Sequence, residues 1–421
     1  MPKAVEVFTP NTVPTYTYVE RQGEPIERHL ANALQVTNTL ISLAGPSKSG
    51  KTVLLKKLIN PDDLIYVTGS SIVAPGDLWK IVLAWVGGPV AVETTKEIGV
   101  SGSVLAKGET QGSIIVAKAT VGGEIGASGS YGSATAKAIA QDGLIAVARE
   151  IANSSFVIFI DDFHYIDAAI QQAVAREIKS GIESGIRICV ASVPHRADDV
   201  VRSNNELRGR VFTVDTKYWN IDELAMIAEK GFAALNVDIS PAIVRRVASE
   251  AFGSPQLMQL MCLNICFRIG IFDTQADLHR HEVSDTDIRE ALELTAAGAN
   301  FQSLLESLHS GPRQRGMERN DYDLIDGSKG DVYRAILLAI KSDPGQLSFN
   351  YEEMQRRVKA VCVTESPVGG SMIRSLEKMD NIAAAFPPKA IEWLEDVLDI
   401  VDPYFLFYLR ASLKLDRLGG L

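Results

Sequence analysis

An apolar run at Leu40–Leu43 leads directly into Gly45-Pro46-Ser47-Lys48-Ser49-Gly50-Lys51-Thr52, and from Val53 to Ile59 the apolar spacing becomes helical. A glycine, four variable residues, then glycine, lysine and a hydroxyl side chain, set between a buried strand and a helix, restricts the fold more than any other feature of the chain. Glycines at both ends let backbone N–H groups wrap a phosphate at a helix N-terminus, where the peptide dipoles present positive charge. At this spacing Lys51 reaches the β- and γ-phosphates and the Thr52 hydroxyl ligates magnesium. Gly45 through Thr52, with Val53 behind them, are therefore the candidate nucleotide-binding residues, and ATP with Mg2+ is the expected ligand pair.

A phosphate site of this kind needs a second strand that ends in an acid. Phe156-Val157-Ile158-Phe159-Ile160-Asp161-Asp162 has that form. Asp161 is the candidate acid on the magnesium side, and Asp162, one residue further into the cleft, the candidate that orients or deprotonates the attacking water. A third apolar strand, Ile186–Ala191, ends at Ser192, with His195 and Arg196 just beyond. Ligands of open parallel sheets lie outside the carboxyl ends of the strands, so this end too is expected to face the γ-phosphate.

With these motifs in place, the chain resembles the AAA+ and STAND branch of P-loop ATPases over roughly Tyr16 to Ile271. Asp161-Asp162-Phe163-His164-Tyr165-Ile166 resembles the STAND form of the second motif, with Asp where most AAA+ proteins have Glu. Glu20-Arg21, followed by Glu24 and Glu27, resembles the linker that closes over adenine, which makes Arg21 a nucleotide-binding candidate. The resemblance implies that Ser192 is the sensor-1 residue and Arg196 the sensor arginine. It also implies that Arg202, Arg208 or Arg210 is offered to a neighbouring subunit as an arginine finger. Gly253-Ser254-Pro255-Gln256 resembles the lid motif that usually carries a sensor-2 arginine, yet Gln256 stands where that arginine would be. A glutamine contacts phosphate without charge, so hydrolysis is expected to be slow or to depend on a neighbour, and a homo-oligomer is expected.

The strand–helix alternation stops after Val214. Tyr218–Ala234, Ile239–Ala251 and Gln256–Ile269 carry apolar residues three and four apart, as amphipathic helices do, and read as a helical lid. A polar linker, Gly311–Lys329, follows. Helices are then expected at Asp331–Ile340, Tyr351–Val361 and Gly370–Ala384, with an extended piece at Gln346–Phe349 and strands at Ala390–Trp393 and Val397–Val401. Three helices followed by a hairpin resembles a winged helix. The expected organisation is an α/β P-loop NTPase: a linker over residues 1–38, a parallel-sheet core over 39–217, a helical lid over 218–310, a second linker over 311–330 and a winged helix over 331–421. Within the core, Gly87–Gly143 is glycine-rich, with four lysines balancing four glutamates. Val100–Ala106, Ser113–Val121 and Glu124–Tyr131 read as short strands of a β insertion.

Composition narrows the function classes. The 421 residues carry 42 Lys+Arg against 52 Asp+Glu, a net charge of −10, which argues against a protein devoted to non-specific duplex binding. From Asp331 to Leu421 there are 11 basic and 13 acidic residues, and in the third helix Arg374 and Lys378 are offset by Glu377 and Asp380. A protein-facing wing is therefore favoured over one that reads DNA. The aromatic run Tyr404–Tyr408 is expected in the core of that wing rather than as a base-stacking platform. The apolar runs are far shorter than the ~20 residues that a membrane-spanning helix requires, so no membrane association is expected. The amino terminus lacks an apolar stretch of signal-peptide length, so a cytoplasmic location is expected. Cys189, Cys262, Cys266 and Cys362 sit in apolar periodic segments and are expected to be buried structural thiols. Two function classes remain. One is an ATP-driven switch of the STAND/AAA+ kind that controls oligomerisation and a separate effector protein, with prokaryotic defence as the setting the resemblance implies. The other is a DNA-engaging initiator-like or transposition-regulator-like ATPase.

Overall fold

The computed structural model describes residues 1–21, 26–87, 142–192, 203–313 and 319–420. The strands expected in the glycine-rich insertion lie outside the described residues, as do His195, Arg196 and Arg202.

Five strands form the central sheet: β1 (Leu40–Ala44), β2 (Leu64–Thr68), β3 (Val157–Asp161), β4 (Arg187–Ser192) and β5 (Val211–Asp215). All four pairings are parallel and the spatial order is β2-β3-β4-β1-β5. Because successive strand residues point to opposite faces, a sheet covered on both sides needs apolar residues at nearly every position. In β3, Val157 and Phe159 face one layer, where Leu30, Leu54 and Leu55 come from helices Ile26–Ala33 and Lys51–Leu58. Ile158 and Ile160 face the other, where Trp79, Val147, Ile178 and Ile182 come from helices Asp77–Trp85, 142–151 and Ala168–Glu183. This is a P-loop NTPase fold, a five-stranded parallel sheet between helical layers.

Beyond β5 the chain is mainly helical. Ile221–Ala234 begins at a capping box, in which Asn220 accepts from Glu223 N and Glu223 accepts from Asn220 N. Helices Pro241–Ser249 and Pro255–Arg268 each start with proline at the first helical position. Helices Asp285–Ala297 and Gln302–Ser310 complete this group. Ala4, Val7 and Phe8 are buried in the same apolar core, so the amino-terminal segment packs with the helices that follow the sheet.

The C-terminal part contains helices Val332–Lys341, Tyr351–Val361 and Gly370–Ala384. Its small antiparallel sheet is made of β6 (Ser348–Asn350), β7 (Ile391–Leu394) and β8 (Val397–Ile400), with β8 in the centre. Phe405, Leu406, Phe407, Tyr408 and Leu409 of helix Pro403–Ala411 are buried, and the Phe405 ring meets Phe301 edge-on at 5.5 Å. This aromatic run is core. It belongs to one continuous apolar cluster shared with the helices after β5. Arg410 crosses the same boundary, donating to both oxygens of Glu250 (3.0 and 2.8 Å) and to the Lys341 carbonyl oxygen (2.7 Å). Cys189, Cys262 and Cys266 are buried free thiols and Cys362 is half-buried. Among the described residues no helix is long and apolar enough to cross a membrane.

Candidate functional site

The carboxyl ends of β1 and β3 bring the two motifs together. Gly50 caps the following helix with φ 94°, a conformation in which a residue with a Cβ is strained. Gly45 is fixed by crowding, because a Cβ there would overlap the Thr216 hydroxyl. Between these glycines the loop curls around the Lys51 side chain, whose Nζ donates to the carbonyl oxygens of Gly45 (2.8 Å) and Pro46 (2.7 Å). Burial lowers the Lys51 pKa, while the carboxylates of Asp161 and Asp162 act in the opposite direction.

Asp161 is the last residue of β3. Thr52 Oγ1 donates to its Oδ2 (3.1 Å), and the Asp162 backbone N–H donates to its Oδ1 (3.0 Å). Asp162 follows at φ 55°. Its carboxyl is pushed up to about 6, first by burial and then by the Asp161 charge. A hydroxyl and a carboxylate in contact beside a buried ammonium form a donor set of hard oxygens suited to magnesium, and these residues fit the ion. Tyr66 on β2, which the sequence reading did not single out, donates its hydroxyl to the same Asp161 Oδ2 (3.0 Å).

Two adjoining clefts meet at Lys48, Ser49, Gly50 and Val53. One is lined by Ser47, Lys51, Thr52, Tyr66, Asp161 and Asp162. The other, mainly apolar, is lined by residues such as Pro14, Tyr18, Val19, Ile26, Trp219 and Ile227. Phosphates suit the first cleft and a flat base the second, and Gln256 lines both.

The segment after β5 clasps the phosphate loop from the helical side. Trp219 Nε1 donates to the Ser49 carbonyl oxygen (2.9 Å), the Ser49 and Thr216 hydroxyls are 3.1 Å apart, and Ser254 Oγ donates to the Lys48 carbonyl oxygen (3.4 Å). Pro255 borders Gly50. Arg21 lies at this junction, bonded to the carbonyl oxygens of Thr216, Lys217 and Tyr218 and to the Glu223 carboxylate, with Trp219 beneath it at 5.4 Å. Its guanidinium thus ties the amino-terminal segment to the turn after β5, and Arg21 also lines the apolar cleft. Trp219 and Thr216 had no sequence motif to mark them.

The remaining candidates are placed differently. Ser192 ends β4 opposite Ala44, and its carbonyl oxygen accepts from Gly45 N (3.1 Å), so it borders the start of the loop. Gln256 Nε2 donates to Asn11 Oδ1 (3.2 Å). Arg208 and Arg210 precede β5 and stand at the amino-terminal edge of the sheet, where Arg210 pairs with Glu183. A five-residue strand, about 16 Å long, separates that edge from the chain's own cleft. The two arginines are therefore not brought to the cleft of their own chain.

No family model matches the sequence, and neither does any curated protein. Among solved structures, the chain is similar to the Walker-type ATPase PABY2304 of Pyrococcus abyssi, with a TM-score of 0.50 and 14% identity over 94% of this chain and 99% of that one. It is also similar to the Aeropyrum pernix ORC1 protein solved in complex with DNA, with a TM-score of 0.47 and 14% identity over 99% and 98%. The Aeropyrum pernix ORC2 protein in its ADP form gives a TM-score of 0.47 and 13% identity over 99% of each chain. Sheet order, loop geometry and the likeness to the Pyrococcus structure agree on one fold, that of a P-loop NTPase.

Proposed function

We propose that this chain is an ATP-binding and ATP-hydrolysing switch of the AAA+/STAND kind, whose nucleotide state controls homo-oligomerisation and a separate effector protein, with prokaryotic defence as the setting. The observation that carries this reading is that one loop, Lys48–Thr52, is held both by the acidic end of β3 and by the helical part of the chain. Thr52 contacts Asp161 on one side, while Trp219 and Ser254 bond the loop backbone on the other. A change in the phosphates bound there is thus mechanically linked to the helices after β5. The Arg410–Glu250 pair extends that link to the C-terminal helices.

In this reading Lys51 and the loop N–H groups of Ser47 to Val53 hold the phosphates, and Thr52 and Asp161 hold magnesium. Asp162 accepts the proton of the attacking water or orients it. When bound, magnesium supplies charge neutralisation on the phosphate oxygens. Arg21, Pro255 and Gln256 border the nucleotide, and Ser192 stands beside the phosphate end. Arg196 in cis, or Arg202, Arg208 or Arg210 from a neighbour, supplies the positive charge that Gln256 lacks. We read residues 39–217 as the ATPase core, 218–310 as its lid and 331–421 as a winged helix, and the three helices around an antiparallel three-stranded sheet support the last assignment.

The alternative is a DNA-engaging initiator-like ATPase. The exposed side of helix Gly370–Ala384 carries Arg374 and Lys378 together with Glu377, and Asp380 is tied to Lys389 and to Trp393 N. Duplex contact through several phosphates wants a clear basic excess, which this helix lacks. Size-exclusion chromatography with light scattering in ATP and in ADP, with and without duplex DNA, separates the readings. Assembly that follows the nucleotide alone supports the switch. Assembly that requires DNA supports the alternative, and a monomer under all four conditions overturns both.

A further inference from the structure

Tyr66 lines the phosphate cleft, and neither motif accounts for its hydroxyl. Tyr66 lies on β2 in register with Phe159 of β3, and the two rings pack edge-on at 5.7 Å. That packing needs only a phenyl ring. The hydroxyl reaches across to Asp161 Oδ2 at 3.0 Å, the oxygen that also accepts from Thr52 Oγ1 at 3.1 Å. Since Oδ1 accepts from Asp162 N, the carboxylate is held by three donors, Tyr66 of β2, Thr52 of helix Lys51–Leu58 and the N–H of Asp162, the residue that follows Asp161.

The terminal torsion of an aspartate is broad, so its plane is set by its partners. Of the three donors, Thr52 would offer its oxygen to magnesium when the ion is bound, and the direction of its proton would then follow that bond. The Asp162 N–H holds only the other carboxylate oxygen. Tyr66 is the one donor to Oδ2, among the described residues, that does not depend on the metal. We propose that Tyr66 is a positioning residue that sets the plane of the Asp161 carboxylate, and through it the affinity for magnesium at the nucleotide. This inference rests on the ATP reading above.

The test is calorimetric titration of ATP into wild type and Tyr66→Phe, with and without magnesium, together with the magnesium dependence of hydrolysis. Phenylalanine keeps the contact with Phe159, so thermal unfolding is expected to be unchanged. The magnesium concentration at half-effect is expected to rise about three- to tenfold, the scale of one ordinary intramolecular hydrogen bond, while metal-free ATP affinity stays within about twofold. An unchanged magnesium midpoint overturns the proposal. Equal losses with and without magnesium, accompanied by a lower unfolding temperature, also overturn it, because they mark a purely structural role. If wild type binds ATP and responds to magnesium while Tyr66→Phe behaves identically, only this inference fails. Wild type that binds no ATP under either condition removes the ATP reading and this inference with it.

Discussion

The indole N–H of Trp219 donates to the carbonyl oxygen of Ser49 at 2.9 Å, joining the first residues after the sheet to the phosphate loop. Trp219 also lines the apolar cleft beside that loop. The contact holds the loop backbone from the side opposite Asp161. Trp219→Phe keeps most of the ring and removes the donor. A neutral hydrogen bond contributes about 1 kcal/mol, so nucleotide affinity is expected to fall about fivefold. Calorimetric titration with ATP measures this directly, and an affinity equal to wild type would show that the contact does not shape the loop.

Lys51 and Asp162 are expected to separate binding from turnover. Lys51→Ala removes the buried ammonium that the loop surrounds, and ATP binding is expected to weaken by about 100-fold or more. Asp162→Asn keeps the shape of the side chain, so ATP affinity is expected to persist while hydrolysis falls below detection. Filter binding and a phosphate-release assay on the same preparations distinguish the two effects. Wild-type affinity in Lys51→Ala would sink the assignment of the loop.

Gln256 brings no charge to the cleft that it lines. With Arg208 and Arg210 at the far edge of the sheet, positive charge from those residues reaches a γ-phosphate only across a subunit boundary. If the charge comes from a neighbour rather than from Arg196 in cis, specific activity is expected to rise with protein concentration. A turnover per subunit that stays flat from nanomolar to micromolar protein, with a monomer throughout, would exclude a trans arginine.

Glu177 gives a pH-dependent prediction outside the nucleotide site. It is buried between helices, accepts from Gly76 N at 2.8 Å through Oε1, and has no partner for Oε2 among the described residues. Burial pushes its carboxyl from an ordinary 4.5 up to about 7. A folded-state value above the unfolded one means that the fold favours the protonated form. The cost of the charge is absent below pH 4.5, grows as pH rises towards 7 and is complete above it. Glu177→Gln removes that cost, so its stabilising effect is expected to be larger at pH 8 than at pH 5, by on the order of 2 kcal/mol. Denaturant unfolding at the two pH values measures the difference, and a gain independent of pH would contradict the assignment.

The parallel sheet and the phosphate loop were legible because both are local. Residues 45–52 carry their own turn chemistry, and the run Val157–Ile160 is apolar at every position, as a strand covered on both faces requires. Helix periodicity likewise located the C-terminal helices, and Tyr351–Val361 and Gly370–Ala384 have the bounds that spacing alone indicated. What surrounds the loop was not legible. Tyr66 lies 95 residues from Asp161, Trp219 lies 170 from Ser49, and Arg410 lies 160 from Glu250. No periodicity links such positions, because only strand order and helix packing bring them within hydrogen-bonding distance. The sheet order also decided where Arg210 stands. From sequence, a basic residue shortly after β4 and just before β5 has no assigned end of the sheet. The parallel pairing of Leu40 with Val211 puts it at the edge away from its own phosphate loop. Local backbone chemistry therefore determined which residues form the phosphate loop, whereas long-range packing decided which residues hold that loop in place.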